Sequence, residues 1–246
     1  MSAQFQTAIV TGASRGFGSA IAAALVAAGT DVVGVARGDQ DLRAVHGELG
    51  EGFIPVAADA ADDALAQELI GRYRPGLLVL NAGAVPHMAP VQEQTWESFS
   101  LNWHVDTRHV FTWIRAALRE PLAPGSVVVA MSSGAALAGS PLSGGYASAK
   151  AGIRYISGYA AEESRRAGLD IRFVALLPQL TPATGVGSVG VTAYAARQGT
   201  DREMFVAGLQ PIVTAAAVAQ AVIEVAGIPG SAGEYLLSGA GLRPVG

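Results

Sequence analysis

Short β-branched runs alternate with Ala- and Leu-rich stretches from one end of this chain to the other. TAIV (7–10), DVVGVA (31–36), FIPVA (53–57), LLVL (77–80), SVVVAM (126–131), IRFVAL (171–176) and EYLL (234–237) read as strands. Helical candidates fall between them near 17–28, 40–48, 62–71, 95–119, 145–167 and 214–226. Such alternation implies a parallel sheet with helices on both faces. The strands are apolar throughout rather than alternating, which agrees with burial on both sides. The expected fold is therefore α/β: a doubly wound, Rossmann-type parallel sheet of about seven strands, in a single domain over 1–246.

Half of the 246 residues are hydrophobic and 15% are charged, enough apolar material for a sizeable core. The net charge of −4 provides no basic stripe, so nucleic acid is not an expected partner. The absence of cysteine removes disulfides and thiolate chemistry and agrees with a cytoplasmic location. No basic residue precedes Arg15, so a signal peptide is not expected. Two stretches, 121–149 and 173–196, carry no charge. Their Pro, Gly and Ser content suits a membrane span poorly and the wall of a dry pocket well. PQLTPATGVGSVG (178–190) is the least regular segment, and a mobile substrate lid is expected over 178–208.

The first strand runs directly into TGASRGFG (11–18) and then a helix. Gly12, Gly16 and Gly18 let backbone approach a pyrophosphate, and the helix N-terminus offers free N–H donors. Ser14, Arg15 and Phe17 complete this cofactor-binding turn.

A second stretch, SGGYASAK (143–150), holds the only lysine of the chain; the other basic residues are all arginine. Tyr146 and Lys150 are four apart, on one helical face. With six tyrosines present, a lone lysine falls four after one of them in roughly 2–3% of random placements.

Together these motifs resemble the short-chain dehydrogenase/reductase family. TGASRGFG is similar to its cofactor turn, T-G-x-x-x-G-x-G, and SGGYASAK to its Y-x-x-x-K. Ser133 lies thirteen residues before Tyr146, where the family's catalytic serine sits. LNAGA (80–84) matches the N-A-G after the fourth strand, bringing in Asn81, Ala82 and Gly83. Asp59 and Ala60 fall where the family sets an acid against the adenine.

The resemblance spans nearly the whole chain. It implies hydride transfer between a nicotinamide and a carbonyl or alcohol, with Tyr146 as general acid/base and Ser133 on the substrate oxygen. Lys150 would hold the nicotinamide ribose, and its charge favours the tyrosine's phenolate.

Two departures stand out. The family's catalytic Asn, which acts through its backbone carbonyl to hold a water near the lysine, corresponds here to Asp106; Asn102 lies four residues early. The family's Pro-Gly after the sixth strand is Pro178-Gln179. Thr181 falls where the nicotinamide carboxamide is met, and Ala183 replaces a later threonine.

NAD-preferring members carry an acid at the end of the second strand, whereas this chain has Ala36 and Arg37. Arg37 and Arg15 suit a 2′-phosphate, so the expected cofactor is NADP(H). The expected substrate is a small molecule, a hydrophobic ketone or alcohol. Imine reduction and a catalytically weak NADP-binding sensor are the alternatives. His46, His87, His104 and His109 show no metal-ligand spacing and read as surface or core residues, with His87 and Met88 able to line the substrate pocket. Trp96, Trp103 and Trp113 read as core or interface. By analogy with the family, a homotetramer is expected.

Overall fold

The computed structural model describes residues 4–230 and 233–245, so 1–3, 231–232 and 246 of the expected domain lie outside the described residues. Seven parallel strands occupy the expected positions: β1 (Thr7–Thr11), β2 (Asp31–Ala36), β3 (Phe53–Ala57), β4 (Leu77–Leu80), β5 (Val127–Met131), β6 (Arg172–Pro178) and β7 (Glu234–Ser238). An eighth, β8 (Gly241–Pro244), pairs antiparallel with β7. It is short and largely exposed, and begins at a glycine, so it lacks the apolar run that marks the others.

The sheet order is β3-β2-β1-β4-β5-β6-β7-β8. The order reverses between β1 and β4, which opens a crevice beyond the strands' C-terminal ends.

Alternate residues of each strand feed opposite faces. Val10 and Val79 pack with Ile21 and Leu25 of α1 (Gly16–Ala27), and α2 (Asp39–Leu49) lies on this same face. Ile9 and Leu78 meet Leu69 of α3 (Asp63–Tyr73) on the other face.

The helix expected over 95–119 is divided. It forms α4 (Trp96–Asn102), a π-helical turn at Trp103–Thr107, and α5 (Arg108–Arg119). The wider turn is a local rearrangement that hydrophobic periodicity does not reveal. After a short α6 (Ala135–Ala138) comes α7 (Gly144–Ala167), which carries the Tyr-Lys pair.

The expectation of irregular chain over 178–190 is corrected. A helix, α8 (Gly185–Gln198), begins there, followed by α9 (Arg202–Ala207). Thr184 caps α8 by accepting from the Gly187 amide at 3.0 Å. A side chain at Gly187 would strike the Thr181 carbonyl, so close packing overrides poor helix propensity. The last helix, α10 (Ala215–Gly227), lays Val218 and Val222 beside α1.

Candidate active site

The β1–α1 turn is built from glycines for steric reasons. Gly12 and Gly16 have φ of +67° and +59°, a region that L side chains rarely adopt. A Cβ at Gly18 would lie 2.0 Å from the Gly12 carbonyl oxygen. Gly18 therefore lets α1 pack against the turn rather than lining the cavity. Arg15, in extended conformation, occupies the N-cap of α1.

The N-A-G segment is stitched to β1. Thr11 Oγ1 accepts from the Asn81 and Ala82 amides at 2.9 and 3.1 Å, and Asn81 Nδ2 donates to the Thr11 carbonyl at 3.0 Å. The Asn81 side chain is thus committed to the turn itself.

These elements border a cavity of about 1180 Å³ that runs from Arg37 and Asp59 to Ser133 and Tyr146. Every predicted site residue except Gly18 lines it: Gly12, Ser14, Arg15, Gly16, Phe17, Arg37, Asp59, Ala60, Asn81, Ala82, Gly83, Asp106, Ser133, Tyr146, Lys150, Pro178 and Thr181. Both uncharged stretches contribute wall residues, and Met88 does too. Among the described residues neither Arg15 nor Arg37 makes an ion pair. Asp59 Oδ1 accepts from the Ala61 amide at 2.9 Å, and Asp41, which sequence reasoning did not single out, shares the cavity rim with Arg37. Thr181 Oγ1 donates to the Val213 carbonyl at 2.5 Å, leaving the backbone of this residue to meet a ligand.

Lys150 is buried on α7. Its Nζ donates to the Met131 carbonyl at 3.1 Å and lies 3.2 Å from Asp106 Oδ2, an ion pair without the alignment of a full hydrogen bond. The ammonium is 5.5 Å from the centroid of the Tyr146 ring. Burial is the largest influence on Lys150 and opposes its charge. The Asp106 carboxylate, with Tyr146, outweighs it and raises the lysine pKa.

Asp106 is held on its other side by the Ala84 amide, which donates to Oδ1 at 2.8 Å. Gly83 makes room for it, since a Cβ there would sit 2.9 Å from Oδ2. The π-helical turn that carries Asp106 is pinned to α7 by residues on either side of Asp106. Trp103 Nε1 donates to Ser148 Oγ at 3.0 Å, and Thr107 Oγ1 donates to the Ala149 carbonyl at 3.3 Å. Asn102 supports the same carboxylate: its side-chain amide donates to the Ala84 carbonyl at 2.9 Å and to Asp106 Oδ1 at 3.4 Å.

Ser133 follows β5, and its Oγ accepts from the Ala135 amide at 3.2 Å. Gln179 packs against Gly134 beside it, through both its backbone and its side chain. Tyr194 of α8 hydrogen-bonds Ser140 through its hydroxyl at 2.6 Å, tying this helix to the loop that precedes Tyr146. His109, read from the sequence only as a surface or core residue, lines the cavity while buried. Trp113 lies in the core and donates to the Ala60 carbonyl at 2.8 Å, whereas Trp96 and Trp103 are exposed.

A doubly wound sheet with a glycine turn at its switch point, and a Ser-Tyr-Lys group in the same cavity, defines a dinucleotide-type oxidoreductase scaffold. The chain belongs to the short chain dehydrogenase family, whose family model matches residues 6–195. It is 35% identical over 134 residues to L-xylulose reductase of Bos taurus, a match covering 54% of each chain. Against carbonyl reductase (NADPH) 2 of Sus scrofa the identity is 34% over 124 residues, 49% of this chain and 50% of the relative. These matches span about half the length of the relatives. A solved short-chain dehydrogenase from Streptomyces avermitilis superposes with a TM-score of 0.77 at 25% identity, over 96% of this chain and 89% of the other. Among the described residues no helix is long and apolar enough to cross a membrane.

Proposed function

We propose that the protein is an NADPH-dependent reductase that interconverts a carbonyl and an alcohol, with Tyr146 as general acid/base. The observation that carries this reading is the setting of the chain's only lysine: its buried ammonium lies 5.5 Å from the Tyr146 ring, in the cavity that Ser133 also lines. The cavity suits a nicotinamide dinucleotide. Its glycine turn brings backbone donors to the pyrophosphate, Arg15 and Arg37 offer forked donors to a 2′-phosphate, and Asp59 and Ala60 border the adenine. Pro178 and the Thr181 backbone face the nicotinamide end.

A bound nicotinamide supplies a hydride to the carbonyl carbon or takes one from the alcohol. Tyr146 gives its hydroxyl proton to the carbonyl oxygen in reduction and recovers it in oxidation. Ser133 donates a hydrogen bond to the same oxygen as charge develops there. An ammonium has three donors. With one on Met131 and one facing Asp106, Lys150 keeps a third for the ribose.

Val85, Met88, Leu137, Leu180, Phe205 and Leu209 make the remaining wall largely apolar, which favours a hydrophobic ketone or alcohol. The names of the bovine and porcine relatives agree with carbonyl reduction. The working form is a cytoplasmic homotetramer.

A catalytically weak NADP-binding sensor is a second reading, favoured by the Asp106 carboxylate that offsets the lysine's charge. A panel of ketones and imines assayed with NADPH and NADH separates the two. Turnover of a ketone with NADPH supports the reductase, and saturable NADPH binding without any turnover overturns it.

A further inference from the structure

His109 lies on α5, three residues after Asp106, and is only 1% exposed although it lines the cofactor cavity. Neither of its ring nitrogens has a hydrogen-bond partner of proper geometry. Trp113 packs edge-on against it, with ring centroids 6.4 Å apart, and Trp113 is itself anchored on the Ala60 carbonyl. Burial is the main influence on the imidazole and keeps it neutral, with the Lys150 ammonium acting the same way. The Ala82 carbonyl and the Asp59 carboxylate oppose them. The ring therefore sits by the wall formed by Ala60 and Ala82, within electrostatic reach of both Asp59 and Lys150.

The Ala82 carbonyl approaches one ring nitrogen without good hydrogen-bond geometry, and the other has no partner; such a buried ring is costly unless something completes it. A neutral imidazole has one N–H donor and one bare nitrogen acceptor. A hydroxyl both gives and accepts a hydrogen bond, and so matches either nitrogen. In the proposed dinucleotide reading Asp59 and Ala60 border the adenine, so the wall that Trp113 anchors through the Ala60 carbonyl is on the adenosine side of the cavity.

We infer that His109 is a cofactor-binding residue that hydrogen-bonds a ribose hydroxyl on the adenosine half of the dinucleotide. The inference rests on the proposed dinucleotide reading of the cavity. In the unliganded protein the imidazole is only partly compensated, and the nucleotide completes it.

The test uses calorimetric titration with NADP⁺ and with 2′,5′-ADP, which carries the adenosine half alone. His109→Phe should weaken both by about three- to tenfold, the equivalent of one neutral hydrogen bond. The melting temperature of its unliganded form should hold or rise, because a buried, incompletely paired group has been removed. His109→Gln, which keeps a donor and an acceptor, should lose less affinity.

In the parent, the ring ¹⁵N resonances of His109 should shift on adding 2′,5′-ADP, a readout that does not depend on any variant folding. Unchanged affinity in His109→Phe with a lowered melting temperature would show a packing role and overturn the inference, as would ring resonances that ignore 2′,5′-ADP. A parent that binds neither ligand would instead sink the dinucleotide reading itself.

Discussion

Lys150 and Asp106 form an ion pair at 3.2 Å, with side chains only 7% and 1% exposed. The carboxylate stands where the family resemblance points to a neutral Asn. It offsets part of the positive charge that the lysine presents to Tyr146. Asp106→Asn removes that offset while keeping an acceptor for the Ala84 amide. The ammonium then acts more strongly on negative charge at the Tyr146 oxygen. The acid limb of the pH profile for alcohol oxidation should move to lower pH. Asp106→Ala should also cost roughly 3–5 kcal/mol of stability, because it leaves a buried cation unpaired. An unmoved profile in Asp106→Asn would mean that the pair does not communicate with the tyrosine.

Lys150→Arg should fail to restore activity. The ammonium is a compact charge enclosed by the Met131 carbonyl and Asp106, and a planar guanidinium fork does not fit the same three directions. Loss of turnover and weakened cofactor binding are expected. An Arg variant that keeps most of both would show that charge alone matters at this position.

The seven parallel strands were legible because each is an unbroken apolar, β-branched run between turn residues. Tyr146 and Lys150 stood out as a pair because one helical turn sets them on one face, whereas Ser133 was reached only through the family resemblance; all three line one cavity. α8 was not legible, because its glycines at 185, 187 and 190 argue against a helix until the close approach to Thr181 is known. The Asp106 side-chain contact depends on a π-helical turn that no periodicity reports. His109 was read as a surface or core residue and is buried; that it also lines the cavity was not legible, because its sequence neighbours do not tell which wall its ring joins.

Arg37 and Arg15 support a quantitative expectation about cofactor choice. A charge-assisted hydrogen bond contributes roughly 1.5–3 kcal/mol. Two would favour NADPH over NADH by about two to four orders of magnitude, and solvent exposure of both arginines draws this toward the low end. Asp41 on the same rim draws it down further. Arg37→Asp should invert the preference, since a carboxylate repels the phosphate and accepts from both ribose hydroxyls of NADH. The measurement is kcat/KM for both cofactors at fixed salt. An unchanged ratio would remove the main support for NADP.

His109 should leave a signature in the acid stability of the unliganded protein. Burial, aided by Lys150, lowers its pKa from 6.5 to about 3 in the folded state. Between these values the unfolded chain binds a proton that the folded chain does not, so stability rises with pH. The contribution is complete above about pH 6.5 and is lost as the pH falls toward 3. In urea titrations between pH 6.5 and 5, His109→Phe should flatten the slope by up to about 1.4 kcal/mol per pH unit. The linkage of a single proton sets this as the upper bound. A variant with the parent's slope would show that the ring is already protonated in the folded protein.

The outer surface of the α4–α5 and α7 pair carries aromatic rings that the fold leaves uncovered. Trp103 and Phe111 are 43% and 51% exposed, and Tyr155 and Tyr159 are each 63% exposed. The two tyrosines stack, with ring centroids 6.3 Å apart, one turn of α7 from each other. Gly152, one turn earlier, lies against the Trp103 ring, so the aromatic rows of both segments adjoin. A cluster of exposed aromatic rings of this kind marks an association site. Because the same patch is present on every copy, a two-fold axis through it is the simplest closed arrangement. Light scattering at micromolar concentration should give a homo-oligomer, a tetramer if a second face also pairs. Tyr155→Glu combined with Tyr159→Glu should halve that mass by setting like charges against each other across the axis. A parent that scatters as a monomer, or a double variant with undiminished mass, would rule this face out as the interface.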